Sequence, residues 1–425
     1  MRVQTRGRRP ARLHSLHLVT PLLAGLGTLT PGTTLALEPE MAVSLDGTYY
    51  DDTIDGHGDQ ALNETVGAFA GHDHGSDTHG LDQGLNLRPT EIRLGATIAD
   101  GFGARLTAAI SDEGDIELEE AFATANLPAG LRLKAGRFYS GIGYQNERHR
   151  HAWSFVDQNL AYRALLGEHG LSDTGLQVTW SPASHPGLQL GVEAFEGDNN
   201  ERLGTRPEHA EHLPSRPGAP RLWTTFIKVT PLRSHDHRLQ LGASAAYFRS
   251  HQEHHEESEP DEHALDGDAR LYGLDAVYHF DAAGPHGRGD WLVAAEYLRA
   301  EKHLTVADHA GNPAAIGEGR DFVGDGVYLQ ATYGIAPRWN IGLRYDAAGL
   351  TNRLSTPHPA IDADYGESQR WSAAATYNLT ENSRLRAQVA RVNAALDTGR
   401  EEYTQFYLQY QWRLAIGGHR HAHAH

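Results

Sequence analysis

The sequence predicts an all-β fold, a transmembrane antiparallel β-barrel of sixteen strands. Apolar and polar residues alternate at period two in run after run, which is the pattern of strands with one apolar and one polar face. Long and short connections alternate between these runs, as they do in outer-membrane barrels. Beyond the N-terminus there is no run of about 18 apolar residues, so the sequence excludes transmembrane helices.

The alternation is clearest in the C-terminal part of the chain. Every second residue is apolar from Trp339 to Ala347 and again from Phe406 to Leu414. Between Leu385 and Val392 the alternation changes phase, which predicts a β-bulge. Sixteen runs of this kind begin near residues 41, 90, 102, 115, 130, 171, 186, 220, 236, 267, 289, 322, 337, 366, 382 and 400.

The connections predict the orientation and location of the barrel. Short periplasmic turns and longer outside loops are typical of barrels in the bacterial outer membrane, and sixteen strands leave an aqueous lumen. A pair of soluble β-sandwiches is the alternative, although sandwiches seldom segregate their loop lengths so regularly. Aromatic residues near the ends of the runs are expected to form girdles at the two membrane interfaces: Phe138, Tyr139, Tyr247, Phe248, Tyr278, Phe280, Trp291, Tyr297, Trp371 and Tyr377.

The first 36 residues predict an export signal. Five Arg and no acidic residue precede an apolar stretch from Leu16 to Leu29, and Thr34-Leu35-Ala36 offers a small-residue cleavage site. We therefore divide the chain into a signal peptide at 1–36, an outer-membrane barrel at 37–416 and a His-rich tail at 417–425. No plug-sized segment precedes the first run, so we expect a porin-like barrel without a plug domain.

The composition excludes several classes of function. Without Cys the chain has no thiolate metal site, disulfide or Cys nucleophile. A formal charge of -18 argues against nucleic acid as a partner, because nucleic-acid-binding proteins carry basic faces. The motifs of serine hydrolases, zincins and phosphate loops are absent, so we expect no catalytic residues and no enzyme. A barrel enzyme acting on lipid is the alternative, since a Ser-His-acid set can assemble in space.

One outside loop, at 140–170, is a candidate constriction. It carries several large apolar side chains, among them Trp153 and Tyr162, and the barrel lumen is the available place to pack them. The residues then expected to face the permeant are Arg148, His149, Arg150 and His151. Further basic residues on polar strand faces predict a basic lumen: Arg132, Lys134, Arg137, Arg344, Arg384 and Arg386. The alternatives are a loop folded over the mouth and a loop packed between subunits.

Histidine is unusually frequent, with 27 residues, and sixteen of them fall in the predicted outside loops, including the His-rich loop at 51–89 and the loop at 250–266. Imidazole and carboxylate without thiolate suit Zn(II), Ni(II) or Cu(II). No cofactor is required, and zinc is expected as the bound or transported ion. The alternative is a solvated, pH-sensitive surface. The candidate metal ligands are His72, His74, His79, His254, His255, His263, His419, His421, His423 and His425.

Several longer motifs add a family resemblance. They are VSLDGTYY at 43–50, GLNLR at 84–88, IELEEAF at 116–122, LKAGRF at 133–138, WSFVDQNL at 153–160 and GEHGLSDTG at 167–175. Together they resemble the proteobacterial family often labelled zinc-regulated TonB-dependent outer-membrane receptors. The resemblance is densest over residues 41–200. It implies an outer-membrane protein linked to zinc acquisition.

These observations predict a porin-like channel that admits zinc, or another divalent transition metal, to the periplasm, with outside histidines capturing the ion. The expected partners are outer-membrane lipid, the metal ion and the barrel assembly machinery, and a homotrimer is expected by analogy with porins. The alternatives are an anion or general-solute diffusion porin with incidental histidines and a TonB-dependent metal receptor.

Overall fold

The computed structural model describes residues 37–63, 80–98, 101–200, 202–204, 212–255, 262–357, 360–364, 366–396 and 399–417. The predicted signal peptide and residues 418–425 of the predicted tail lie outside these ranges, so both stay predictions. Within the described ranges the chain forms eighteen strands and two short α-helices. The helices are α1 (Gly58–Ala61) and α2 (Leu160–Leu166). The strands are β1 (Leu37–Asp52), β2 (Gly84–Ile98), β3 (Phe102–Ile110), β4 (Ile116–Leu127), β5 (Leu131–Tyr139), β6 (Ser172–Trp180), β7 (Leu188–Phe195), β8 (Leu222–Arg233), β9 (His237–His255), β10 (His263–Phe280), β11 (Trp291–His309), β12 (Gly319–Ala336), β13 (Trp339–Ala348), β14 (Arg353–Pro357), β15 (Ala360–Asp364), β16 (Ser368–Thr380), β17 (Ser383–Leu396) and β18 (Gly399–Gly417).

The strands form one antiparallel sheet that closes into a barrel. Sequence neighbours pair around the wall, and β1 pairs with both β2 and β18. The hairpin β14–β15 branches from the end of β12, while β13 pairs directly with β16. Sixteen of the described strands therefore make the wall. This confirms the predicted closed sixteen-stranded barrel, and no plug domain is evident among the described residues.

The two faces of each strand differ as the alternation predicts. On β13 Leu343 faces outward and is 64% exposed, whereas Arg344 and Asp346 face the lumen and are buried. On β18 the outward Phe406 and its alternate neighbours are exposed, while the glutamines between them are buried. A polar interior with an apolar exterior is the pattern of a barrel surrounded by lipid.

Two local predictions are wrong. The pairing of β17 with β18 runs without a register shift past Val389, so the phase change there is not a β-bulge. The apolar residues that break the alternation, Ala390 and Val392, are buried on the lumen side, where the interior itself is apolar. Phe138 and Phe248 are fully buried in the same core, so they do not belong to an interfacial girdle.

The strands differ in length, which shapes one end of the barrel. About 9–11 residues suffice for a tilted strand to cross a bilayer. β6 and β7 have 9 and 8 residues, whereas β9, β10 and β11 have 19, 18 and 19. The long strands extend past the membrane at the end where the long connections lie, which we call the long-loop end.

None of the helices among the described residues is long and apolar enough to span a lipid bilayer.

Candidate permeation pathway and outer histidine rim

The connection between β5 and β6 turns into the lumen, and a buried charge cluster holds it there. Arg344 Nη2 donates to Asp157 Oδ1 at 2.7 Å, and Arg344 Nε donates to Asp346 Oδ2 at 2.9 Å. Arg370 pairs with both aspartates from the neighbouring strand β16. Burial raises the pKa of Asp157, but the two guanidinium groups outweigh burial and keep the pKa well below its ordinary value. The loop carboxylate therefore stays ionised between two strands of the wall.

A second anchor holds the beginning of the loop. Glu296 on β11 accepts hydrogen bonds from the backbone N–H groups of Tyr144 and Gln145, both at 2.8 Å. The hydroxyls of Tyr162 and Tyr328 donate to the same carboxylate at 2.9 and 2.5 Å. This buried carboxylate has four donors, so its hydrogen-bonding capacity is well satisfied and the loop start is fixed.

Helix α2 packs the middle of the loop against β11, β12 and β13. The side chain of Asn159 caps it by accepting a hydrogen bond from the Tyr162 N–H at 3.0 Å. All seven of its residues are buried. Close approach to the wall depends on Gly326, because a Cβ there would lie 2.7 Å from the Cα of Ala161.

Four of the six predicted basic lumen residues fall into two groups. Arg384 and Arg386 on β17 donate to the backbone carbonyls of His151 and Trp153, at 2.8 and 3.1 Å, and Arg344 donates to that of Asp157 at 3.0 Å. These arginines hold the loop. Lys134 instead lines an open cavity, so only part of the basic set faces free space.

That cavity lies on the opposite side of the lumen from α2. It has a volume of about 300 Å³. Its walls come from the inward faces of β2 to β5 and from loop residues 147–149, 151 and 152. Basic and acidic side chains line it together: Arg93, Arg105 and Lys134 with Glu120 and Glu147.

The four predicted constriction residues lie at this part of the loop. Arg148, His149 and His151 line the cavity of about 300 Å³. The guanidinium group of Arg148 lies over the ring of Tyr144, with its Cζ 4.5 Å from the ring centroid. Arg150 lines a smaller neighbouring pocket instead. The structure thus places all four residues inside the barrel, while their role as a constriction stays a prediction.

His149 is surrounded by carboxylates that the sequence did not single out. Its Nε2 is 2.9 Å from Glu120 Oε2, and its Nδ1 is 3.3 Å from Glu119 Oε2 and 3.4 Å from Glu91 Oε2. Burial lowers the pKa of His149, but these three carboxylates outweigh burial and hold the pKa well above its ordinary value. His151 is 3.0 Å from Glu91 Oε2, yet burial lowers its pKa overall.

A second group of histidines lies at the long-loop end, four of them on the strands that extend furthest and His212 in the connection between β7 and β8. His254, His255 and His263 were predicted in an outside loop at 250–266, and this is wrong, because β9 continues through His255 and β10 starts at His263. In the strand register His263 lies opposite His255 on one side and His309 on the other. We call the group formed by His212, His254, His255, His263 and His309 the histidine rim.

The histidine rim has two arms. In one arm, the rings of His255 and His263 stack with their centroids 4.6 Å apart, and the centroid of the His309 ring is 5.6 Å from that of His263. In the other arm, the rings of His212 and His254 stack with their centroids 4.9 Å apart. Glu262 joins the second arm, with Oε1 at 3.1 Å from His254 Nε2 and 3.8 Å from His212 Nε2. His212, His254 and Glu262 thus offer three ligand atoms within 4.8 Å of one another.

The remaining candidate ligands cannot be placed. His72, His74, His79, His419, His421, His423 and His425 lie outside the described residues. His212 and His309 belong to the rim but were not among the predicted ligands. For His309 a signal existed, since the hairpin register of β10 and β11 sets it opposite His263.

Sequence comparison relates the chain to a protein of Aquifex aeolicus. No family model matches the chain. A protein of Aquifex aeolicus strain VF5, described as an uncharacterized protein, is 30% identical over 360 residues, which cover 82% of this chain and 72% of that protein. The chain belongs to the same family as this Aquifex protein. The resemblance to zinc-regulated receptors stays a prediction.

Solved structures agree on the fold. The loop L8 deletion mutant of OmpT, an outer membrane protein of Vibrio cholerae, matches with a TM-score of 0.52 at 10% identity, over 89% of this chain and 99% of that chain. The outer membrane channel DcaP of Acinetobacter baumannii matches with a TM-score of 0.52 at 15% identity, over 88% and 97%. A trimer form of OmpT matches with a TM-score of 0.50 at 11% identity, over 89% and 99%. The chain has the fold of a bacterial outer-membrane β-barrel.

Proposed function

We propose that this barrel is a passive outer-membrane channel that admits zinc, or another divalent transition metal, to the periplasm. The observation that carries the proposal is the histidine rim, which holds five imidazoles and Glu262 at the long-loop end of the barrel. Imidazole and carboxylate oxygens are ligands that these metals prefer. No catalytic step and no resident cofactor enter the proposal.

The rim is suited to capture because four of its five histidines, all but His212, lie on strands. A flexible loop must be ordered when it chelates, and that ordering costs conformational entropy. Strand pairing has already fixed the backbone of His255, His263 and His309, so a metal meets ligands that are already close together. In the proposal the binding is weak and exchangeable, since an ion that is held tightly does not move on.

A channel for anions or general solutes is the second candidate, and the cavity wall favours it. Arg93, Arg105 and Lys134 line the free space beside the inward loop. Fixed charges that line a pore set its selectivity. The reversal potential in a salt gradient separates the candidates, because a basic wall that dominates makes the channel anion-selective.

The deciding experiment is single-channel recording of the refolded full chain in planar bilayers, with and without micromolar zinc chloride. We expect a stable open channel whose current zinc blocks or carries. The histidine rim is tested by changing His254, His255 and His263 to Ala, which should weaken the response to zinc. The matched control changes three exposed histidines at the opposite, short-turn end, His185, His235 and His286, and should respond as the parent does.

Two results contradict the proposal. An open channel that is indifferent to zinc in parent and variants supports the general-solute candidate. A protein that never conducts is not a passive channel. In that case, metal uptake by cells with and without TonB tests whether the protein is an energised receptor.

For its partners we propose outer-membrane lipid, the barrel assembly machinery and two further copies of this chain. The trimer form of OmpT, whose fold is similar, supports the homotrimer. Sedimentation of the detergent-solubilised protein measures the number of chains, and a monomer at all concentrations contradicts this part of the proposal.

A further inference from the structure

A compact set of ligand-type atoms lies beside the inward loop, well away from the histidine rim in the chain. His149 Nδ1, Glu91 Oε2 and Glu119 Oε2 lie within 4.8 Å of one another. The side chains are largely shielded from solvent, with His149 at 6%, Glu91 at 12% and Glu119 at 18% exposure. They come from β2, from β4 and from the loop after β5, so the set exists only when the loop lies in the lumen.

A β-bulge explains how two consecutive glutamates reach the same histidine. Strand residues normally alternate between faces, so Glu119 and Glu120 would point apart. The pairing of β3 with β4 matches Thr107 with Glu120 and Ala108 with Leu118, which leaves Glu119 as the extra residue of a bulge. Bulges re-aim side chains and are frequent next to functional sites.

The distances from His149 Nδ1 to the two carboxylate oxygens fit tetrahedral coordination. Ligands bound to Zn(II) at about 2.0–2.1 Å in a tetrahedron lie about 3.3–3.4 Å apart. His149 Nδ1 is 3.3 Å from Glu119 Oε2 and 3.4 Å from Glu91 Oε2. Glu119 Oε2 is buried and accepts no well-aligned hydrogen bond, and its contact is the ion pair with His149 Nδ1.

The atoms around the set resemble the outer shell of a metal site. Metal-ligating histidines usually donate their other ring N–H to a carboxylate or carbonyl, which fixes the ring. His149 Nε2 is 2.9 Å from Glu120 Oε2. The ligating carboxylates are commonly held as well, and Arg93 Nη2 donates to the other oxygen of Glu91 at 3.1 Å.

We infer that His149, Glu91 and Glu119 form a divalent transition-metal site within the lumen, with Glu120 as the residue that positions His149. His149 lines both the cavity of about 300 Å³ and the smaller neighbouring pocket, and Glu119 lines the smaller one, so space for a water molecule as fourth ligand lies beside the set. A site with three protein ligands and one open position exchanges its ion more readily than a closed one. Arg93 and Arg105 lie close enough to reduce the affinity for a cation, which favours exchange further.

This inference deepens the proposed function by giving the permeating ion a station inside the barrel, but it can be tested without transport. Calorimetric titration of the full chain in detergent with zinc chloride measures the stoichiometry. We expect Glu119→Gln and His149→Ala each to remove one equivalent of zinc from the total. The matched control is His169→Ala, in the same loop, whose Nδ1 is 3.9 Å from Glu117 Oε1. It should keep the parent stoichiometry.

Folding of each variant is checked by the heat-modifiable mobility of the barrel on gels. If His149→Ala folds poorly, the conservative variant Glu119→Gln alone decides the test. Unchanged zinc stoichiometry in a folded Glu119→Gln overturns the inference. In bilayers, an ion bound within the lumen senses the applied voltage, so zinc block should lose its voltage dependence in Glu119→Gln but not in the variant of the histidine rim. Zinc bound at this site in a protein that does not conduct supports the site and contradicts only the proposed channel.

Discussion

Arg344 on β13 and Asp157 in the loop after β5 are 187 residues apart in the chain, and their side chains meet at 2.7 Å inside the barrel. Arg370 and Asp346 complete the cluster, so two aspartates and two arginines lie buried together. Removal of one partner from a buried ion pair costs about 3–5 kcal/mol, because it leaves an uncompensated charge. The cluster therefore contributes strongly to holding the loop in the lumen.

The first prediction concerns Asp157→Asn. The amide cannot balance the two guanidinium charges, so the free energy that keeps the loop in the lumen falls by about 3–5 kcal/mol. We expect a larger and noisier single-channel conductance, measured in planar bilayers at neutral pH. Asp112→Asn, in an exposed turn between β3 and β4, is the control and should conduct as the parent does. An unchanged conductance in Asp157→Asn would show that the loop is held without this pair.

The second prediction concerns acid. The pKa of Asp157 is lowered in the folded state, so its stabilising contribution is complete above the ordinary aspartate value of about 3.9 and is lost as the pH falls further. We expect a conductance that is steady from pH 7 to about 4 and rises below that. Asp346 also faces both arginines. The Asp157→Asn profile therefore isolates the contribution of Asp157, and an identical acid step in that variant contradicts the assignment.

The wall of the barrel could be predicted because its physical cause is local. Lipid lies on one side of β13 and the lumen on the other, so each residue from Trp339 to Ala347 reports its face directly. The same rule misread β17, since Ala390 and Val392 face an apolar part of the interior. The alternation rule also could not predict how far β9 and β10 extend at the long-loop end. Both faces of the strands lie beyond the membrane there, so polar residues are favourable on either face.

The site was less predictable, because its contacts join distant segments. The large apolar residues of 140–170 indicated a loop that must pack, and the loop does lie in the lumen. Nothing in the local pattern paired Asp157 with Arg344 or assigned Glu296 to the loop start. Glu119 reaches His149 only through a β-bulge, and a bulge of one residue leaves little trace in an alternating sequence.

The third prediction concerns Glu296→Gln. Four donors converge on this carboxylate, and an amide replaces one of its oxygens with an NH₂ group that cannot accept. Each buried donor left without a partner costs about 1–3 kcal/mol. We expect earlier proteolytic cleavage between residues 140 and 150, measured by limited proteolysis of the folded barrel. Glu301→Gln on the same strand is the control, because that carboxylate is partly exposed and pairs with Arg299. Equal cleavage rates in the two variants would contradict the prediction.

The last prediction concerns Gly326→Ala, which adds a single methyl group to the wall of the lumen. The new Cβ would lie 2.7 Å from the Cα of Ala161 and 2.8 Å from its Cβ, so α2 must move away from β12. Overpacking of this kind costs about 1–3 kcal/mol. We expect a lower urea midpoint for loss of the native barrel and a raised conductance, as the loop shifts from the wall. Gly47→Ala is the matched control in β1, since a Cβ there has no atom within 4 Å. Equal urea midpoints for the two variants would mean that α2 does not rest against β12 in solution.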